Sequence, residues 1–210
     1  MLRFTLFGIP VQVQPWFWLT MVIVGGGMYV NTKEAMIELV LFMVAGFVSI
    51  MVHELGHALT GQVFGARSRI TLMAFGGVAE FSGAWFGRKQ SFWVTAAGPG
   101  AQILLGLLGV VVWLGIPKGG LPEYFCFWLS AISVFWAVLN LVPVLPLDGG
   151  QMLNALMGPE RVKTTLWVSV LAAGAAAIVV YRITGSILFP VLIGYFGFQS
   201  WKSLQAEGGR

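Results

Sequence analysis

The sequence predicts an all-α polytopic membrane protein with about six transmembrane helices and a small membrane-associated β-sheet at the cytoplasmic side. Of its 210 residues, 58% are hydrophobic and only 10% are charged, whereas a soluble domain carries about 25% charged residues. Several apolar runs approach the roughly 20 residues that a helix needs to cross a bilayer. Two short stretches outside these runs have the composition of strands. These observations exclude a domain that could cover its own surface in water.

Six apolar segments are the predicted membrane helices. They cover residues 15–30, 36–62, 91–114, 123–145, 164–182 and 185–201. The first and the last are short for a crossing, so we expect each to tilt little or to lie partly in the interface. The fifth contains "AAGAAA" (172–177), and small residues of this kind let helices pack closely in lipid.

The predicted sheet draws on the N-terminal stretch and on the longest connection, residues 63–90. Apolar and polar residues alternate at the end of "FTLFGIPVQVQ" (4–14), which is typical of a strand. In the connection, "RITLMAF" (69–75) and "VAEF" (78–81) favour strands, and the two glycines between them suggest a tight turn or a close backbone approach. We therefore expect these stretches to form one small sheet.

The twelve basic residues predict the orientation in the membrane. With six spans, nine of them fall on one side: Arg3, Arg67, Arg69, Arg88, Lys89, Arg161, Lys163, Lys202 and Arg210. The other side has Lys33, Lys118 and Arg182. Because cytoplasmic loops carry the excess of Lys and Arg, we predict a multi-pass protein of the cell (inner) membrane with both termini in the cytoplasm. The net charge of +4 bears on this topology, and we expect no nucleic-acid partner.

The chemistry of the chain is concentrated in "SIMVHELGHALTGQ" (49–62), which holds both of its histidines. His53 and His57 are four residues apart, so on a helix their imidazoles are offset by about 40° and ~6 Å and share one face. Two such nitrogens can bind one Zn²⁺, while Glu54, about 100° around the helix, can take a proton from an activated water. The alternative is a pair of satisfied core histidines beside a carboxylate. Three ionisable groups at membrane depth each need a strong partner, and this favours the metal. Gly56 is expected to let another element approach the metal face.

A catalytic zinc takes three protein ligands, and the chain has no third histidine. Cys126 falls at the outer end of the fourth segment, ~30 Å from the cytoplasmic end of that helix at 1.5 Å per residue. It is therefore too far from the two histidines to share a metal with them. Asp148 follows the inner end of that segment in "NLVPVLPLDGG" (140–150). Pro143 and Pro146 interrupt a helix there, and the two glycines after Asp148 allow a chain reversal, so an unwound segment could return its carboxylate to the site. Glu80 in the cytoplasmic connection is the alternative third ligand.

These motifs resemble the site-2 protease family of intramembrane zinc metalloproteases. The resemblance rests on "HELGH" and "NLVPVLPLDGG", together with "GIPVQVQPWFW" (8–18), "FGGVAEF" (75–81) and "AAGPGAQ" (96–102), in the order of the family. It covers about residues 8–155, and 164–201 would add two further transmembrane helices. We expect residues 1–210 to form a single transmembrane metalloprotease domain.

The resemblance implies a full set of site residues. His53, His57 and Asp148 would bind one Zn²⁺ per chain, and Glu54 would be the general base and acid of peptide hydrolysis. Asn140 would hydrogen-bond the substrate or the developing oxyanion. The sheet around "FGGVAEF" would pair with an unwound substrate strand.

Some residues depart from the family pattern. After "AGP" many relatives have a small polar residue such as Asn, whereas here Gln102 follows Gly100 and Ala101. Gln14 stands where many relatives have a His. We expect neither to change the zinc set. The chain is also expected to lack a removed signal peptide and the added soluble domain of many relatives, as a minimal catalytic core would.

The sequence therefore predicts a zinc-dependent endopeptidase that cuts transmembrane segments of membrane proteins. Its expected partners are single-span substrates and the lipid bilayer. Two alternatives stay open. A metal-ion transporter would share intramembrane ligands but needs more of them along a path, and the outer half offers only Cys126 and the edge residues Glu34, Glu38 and Glu123. A non-catalytic membrane-binding relative would not need Glu54. The oligomeric state and the substrate's identity are not encoded in any motif.

Overall fold

A computed structural model describes residues 1–208. Four strands and seven α-helices follow one another within this range. The strands are β1 (Leu2–Leu6), β2 (Ile9–Val13), β3 (Arg67–Met73) and β4 (Gly76–Ser82). The helices are α1 (Pro15–Val24), α2 (Lys33–Val63), α3 (Arg88–Gly115), α4 (Leu121–Asn140), α5 (Asp148–Met157), α6 (Val162–Thr184) and α7 (Leu188–Gly208).

Four helical segments are long and apolar enough to cross a membrane: Lys33–Val63, Arg88–Gly115, Leu121–Asn140 and Pro159–Thr184. Leu104, Leu108 and Val111 on α3 are 63%, 65% and 68% exposed, and such side chains need lipid around them. α1 is apolar but has only 10 residues. The prediction of a mostly helical membrane protein with a small sheet is confirmed by these four helices and by the sheet described below. The count of six spans stays a prediction.

The four strands form one sheet in the order β1-β2-β3-β4. β1 and β2 are antiparallel, β2 and β3 are parallel, and β3 and β4 are antiparallel. The sheet is therefore built from the two stretches that the sequence indicated. The tight turn, however, comes before Gly76, which pairs with Met73. Gly76 has a φ of +136°, a backbone conformation that favours glycine.

One face of the sheet packs on α2 and forms the core of this region. Its buried side chains are Ile9, Val11, Val13, Ile70 and Leu72, which cluster with Phe17, Met21, Ile50, Met51 and Ala58. The Ser68 hydroxyl donates to the Ala58 carbonyl at 2.8 Å, so a hydrogen bond also links β3 to α2. The sheet is thereby fixed against the helix that carries the HELGH motif.

The segment after α4 differs from the prediction in one respect. Residues 141–147 are unwound, as expected, but the chain does not reverse at Gly149 and Gly150, because α5 begins at Asp148. A Cβ atom at Gly149 would overlap the Leu141 carbonyl, and one at Gly150 would lie on the backbone of Val144 and Leu145. The two glycines therefore allow the unwound segment to pack closely against α5, and they do not form a turn.

The contacts divide the chain into two compact units. One comprises Met1–Trp85 and Ala97–Ala137, and holds the sheet, α1 and α2. The other comprises Phe86–Ala96 and the chain from Val138 onwards, and holds α5, α6 and α7. The single domain over residues 1–210 stays a prediction.

Candidate metal centre

The two histidines of the HELGH motif face each other on α2. His53 and His57 are 4% and 8% exposed, and their Nε2 atoms are 3.0 Å apart with the ring planes at 80°. Two imidazoles on one tetrahedral zinc, each with a Zn–N bond of 2.0–2.1 Å, place their nitrogens about 3.3 Å apart. The pair is thus arranged as a shared-metal site requires.

Gln102 of α3 is hydrogen-bonded to the far side of the His53 ring. Its Oε1 atom lies 2.9 Å from His53 Nδ1. The amide nitrogen of Gln102 in turn donates to the Ser49 hydroxyl at 2.9 Å, and to the Ser49 carbonyl at 3.4 Å. Ser133 of α4 donates to the same Ser49 hydroxyl at 2.9 Å. A chain of buried polar side chains therefore leads from His53 to α4.

Two glycines allow α3 to lie directly against the motif. A Cβ atom at Gly98 would overlap the imidazole of His57, and one at Gly56 would overlap the carbonyl of Ala97. The expectation that Gly56 lets another element approach is confirmed, and that element is α3. The backbone of α3 forms one wall beside the His57 ring.

Glu54 lies against the sheet. Its side chain is 4% exposed, and a Cβ atom at Gly77 would stand 2.6 Å from its Oε1. Gly77 belongs to β4, so the backbone of that strand passes directly over the carboxylate. The close backbone approach that the glycines predicted is therefore made with Glu54.

The structure does not bring Glu80 to the histidines. Successive side chains of a strand point to opposite faces. The Phe81 ring contacts the Cα side of Gly61 in α2, so Gly77 and Phe81 face α2 and Glu80 points away from it. Glu80 is exposed and stands opposite Arg69 in the ladder with β3. It is therefore a residue of the outer face of the sheet.

Asp148 and Asn140 flank the unwound segment of the second unit. Asp148 is the first residue of α5 and is 8% exposed, and the positive end of a helix dipole favours a carboxylate at this position. Asn140 is the last residue of α4 and is half-buried. The Leu145 amide between them donates to the Ser169 hydroxyl of α6 at 3.2 Å. Both side chains thus come from a segment that is anchored to its own unit.

The contact of Gln102 with His53 was not foreseen from the sequence, which marked Gln102 only as a departure from a family pattern. A signal was present, since an amide in the middle of an apolar membrane segment needs a partner. Ser49 is also four residues before His53, on the same helix face.

Cys126 is half-buried near the start of α4.

Comparisons with known proteins find similarity to metallopeptidases. Residues 117–181 match peptidase family M50. The chain is 29% identical over 160 residues to a zinc metalloprotease of Methanocaldococcus jannaschii, covering 75% of this chain and 45% of that protein. It is 36% identical over 112 residues to a putative zinc metalloprotease of Synechocystis, covering 53% and 30%. The chain spans less than half the length of these two relatives.

A solved structure extends the likeness to almost the whole chain. The site-2 protease from Methanocaldococcus jannaschii superposes with a TM-score of 0.63 and 23% identity, over 97% of this chain and 94% of that one. The chain has the site-2 protease fold. The resemblance to the site-2 protease family that the motifs predicted is thus confirmed.

Proposed function

We propose that the chain is a zinc-dependent intramembrane endopeptidase that hydrolyses peptide bonds in or near the transmembrane segments of other membrane proteins. The observation that carries the proposal is the buried pair of His53 and His57, with Glu54 beside it, on a helix apolar enough to cross a membrane. Relatives named zinc metalloproteases support the same chemistry.

The metal set that we propose is His53, His57 and Asp148, with one Zn²⁺ per chain. Among the residues that the structure describes, these three are the one group of His, Cys, Asp or Glu side chains that could hold a metal ion, and all three are buried. Two imidazoles and a carboxylate fit a catalytic zinc site, which takes three protein ligands and leaves a position open. When bound, zinc would act as a Lewis acid and lower the pKa of water.

Glu54 is proposed to move the proton. As general base, its carboxylate accepts a proton from the attacking water, and as general acid it returns that proton to the amine nitrogen that leaves. Gly77 crowds this carboxylate and so limits the positions it can take. For Asn140 we propose a hydrogen bond from its side-chain amide to the substrate or to the developing oxyanion.

β4 is proposed to receive the substrate. It pairs with β3 along one edge, and in the described part of the chain its other edge carries no strand. A substrate helix hides its peptide carbonyls in internal hydrogen bonds, so it must unwind before water can attack. An unwound segment added to the open edge of β4 would be held in extended form by main-chain hydrogen bonds, beside the Gly77 backbone that covers Glu54.

The proposed setting is the cell (inner) membrane, with both termini in the cytoplasm. In this topology α1 and α7 make crossings in addition to the four apolar segments, which gives six. The cytoplasmic excess of basic residues supports it. The partner would be a single-span membrane protein, such as a membrane-tethered regulator, cut near the cytoplasmic face.

The test is co-expression with a panel of single-span membrane proteins, comparing wild type with Glu54→Gln. We expect the variant to keep its zinc and to lose cleavage by a factor of about 10²–10⁴, the usual contribution of a general acid and base. Glu38→Gln is the matched control, because the same change at an exposed position near the start of α2 should preserve cleavage. If zinc-loaded wild type cuts no segment but moves metal across liposomes, the protein is a transporter and the proposal is wrong.

A further inference from the structure

Gln102 is completely buried, with 0% exposure, in a helix that is apolar enough to cross a membrane. A primary amide removed from water costs several kcal/mol on hydrocarbon scales unless its hydrogen bonds are replaced. Gln102 replaces them with His53 on one side and Ser49 on the other. The placement of this amide is therefore tied to the orientation of the His53 ring.

The partners of Gln102 determine which way its amide points. The backbone carbonyl of Ser49 can only accept, so the group facing it must be the NH₂ of Gln102. Gln102 Oε1 then faces His53, and an oxygen of this kind can only accept. His53 Nδ1 must therefore carry a hydrogen and donate it across the 2.9 Å contact.

This hydrogen bond fixes the tautomer of His53. A neutral imidazole has one N–H and one lone pair, so a proton on Nδ1 leaves the lone pair on Nε2. That is the nitrogen that faces His57 Nε2 at 3.0 Å. Ser133 reinforces the arrangement from α4, because its hydroxyl donates to the Ser49 hydroxyl that also accepts from Gln102.

We propose that Gln102, held by Ser49 and Ser133, is a positioning residue that keeps the His53 ring oriented and protonated on Nδ1, so that Nε2 is available to a metal ion. The metal part of this inference rests on the proposed zinc site. The tautomer part concerns the protein alone and can be tested without any metal.

The first measurement is nitrogen NMR of metal-free protein with ¹⁵N-labelled histidine. The chain has only two histidines, so four ring nitrogens are observed. Gly98→Ala assists the assignment, because the atoms nearest to its new Cβ belong to the His57 ring. We expect Nδ1 of His53 to carry the proton in wild type. Gln102→Leu should move the proton population towards Nε2, whereas Gln102→Glu retains an acceptor and should keep it on Nδ1. A wild-type His53 protonated on Nε2 would overturn the proposal.

The second measurement is the affinity for Zn²⁺ and Co²⁺, by competition with a chelator and by the visible absorption of bound Co²⁺. Loss of such an outer partner typically weakens metal binding by about 10- to 100-fold. We expect that loss in Gln102→Leu, with a changed Co²⁺ spectrum, and a smaller loss in Gln102→Glu. Gln199→Leu is the matched control, since Gln199 is exposed on α7 and bonds to Tyr195.

The outcomes separate this proposal from the proposed function. If wild type binds neither metal, the zinc endopeptidase is wrong, while the tautomer measurement still decides the role of Gln102. If wild type binds metal and Gln102→Leu changes neither the ring nitrogens nor the affinity, Gln102 only packs α3 against α2. Should Gln102→Leu fail to fold, the wild-type tautomer and Gln102→Glu decide the question.

Discussion

His53, Glu54 and His57 are buried together on one membrane helix, and this burial limits what each can do. An ionisable group in such a place costs a few kcal/mol or more unless a partner compensates it. His53 Nδ1 has a partner in Gln102, and His53 Nε2 lies 3.0 Å from Nε2 of His57. These hydrogen bonds therefore hold the two imidazole rings with their Nε2 atoms facing each other.

The proposed third ligand can be tested by a single change. Asp148→Asn replaces a charged oxygen ligand by a neutral one of almost the same shape, so we expect a sharp fall in zinc occupancy, measured by elemental analysis after purification. Glu160→Gln, at the exposed turn after α5, is the comparison that should leave zinc in place. Unchanged occupancy in Asp148→Asn would show that the carboxylate is not a ligand.

The residues that sequence reasoning identified are those whose chemistry follows a local rule. Two histidines four apart must share a helix face, so the pair could be predicted without a structure. The contact between His53 and Gln102 joins residues 49 positions apart in the chain. No periodicity encodes such a contact, because it depends on how α3 packs on α2.

At the scale of elements, the approach of α3 to α2 depends on Gly98. We expect Gly98→Ala to weaken metal binding and to destabilise the fold by about 1–3 kcal/mol, the usual cost of overpacking, because the new methyl group would meet the His57 ring. Metal titration and thermal unfolding measure the two effects.

Gly100→Ala is the control for that change, two residues along the same helix. Nothing lies within 4 Å of a Cβ atom at Gly100, and replacing a helical glycine by alanine usually stabilises by about 0.4–1 kcal/mol. The two variants should therefore shift stability in opposite directions. Equal behaviour of both would contradict the assigned contact.

The sheet and the long helices could be predicted, and α5 could not. Strand alternation and apolar length are local signals. Gly149 and Gly150, in contrast, lower helix propensity by about 1 kcal/mol each relative to alanine, so sequence reasoning placed a turn there. Close contact with the backbone of residues 141–145 requires glycine inside the helix. This tertiary packing outweighs the low helix propensity of the two glycines.

At the scale of the molecule, the parallel pairing of β2 with β3 constrains the topology. Both strands lie in one sheet, so the chain between Val13 and Arg67 must return to the side from which it started. We expect α2, which has 31 residues and is about 46 Å long at 1.5 Å per residue, to make one crossing. Residues 14–32 are then expected to make the other, although α1 itself accounts for only about 15 Å.

This constraint predicts the accessibility of single cysteines. In a Cys126→Ser background, we expect Thr5→Cys and Ser82→Cys to react with a membrane-impermeant maleimide from the cytoplasmic side, and Lys33→Cys from the opposite side. All three positions are exposed. Sealed vesicles of both orientations provide the measurement, and labelling of Thr5→Cys and Lys33→Cys from the same side would contradict the topology.

The same parallel pairing sets an order of assembly during synthesis. The β1–β2 hairpin leaves the ribosome before its partner β3, because 53 residues, including the whole of α1 and α2, lie between Val13 and Arg67. In the predicted topology the hairpin therefore keeps one edge open until both helices have entered the bilayer and β3 can pair with β2. We therefore expect the sheet to be completed, and Glu54 to be packed against Gly77, only after the first two predicted crossings have been inserted.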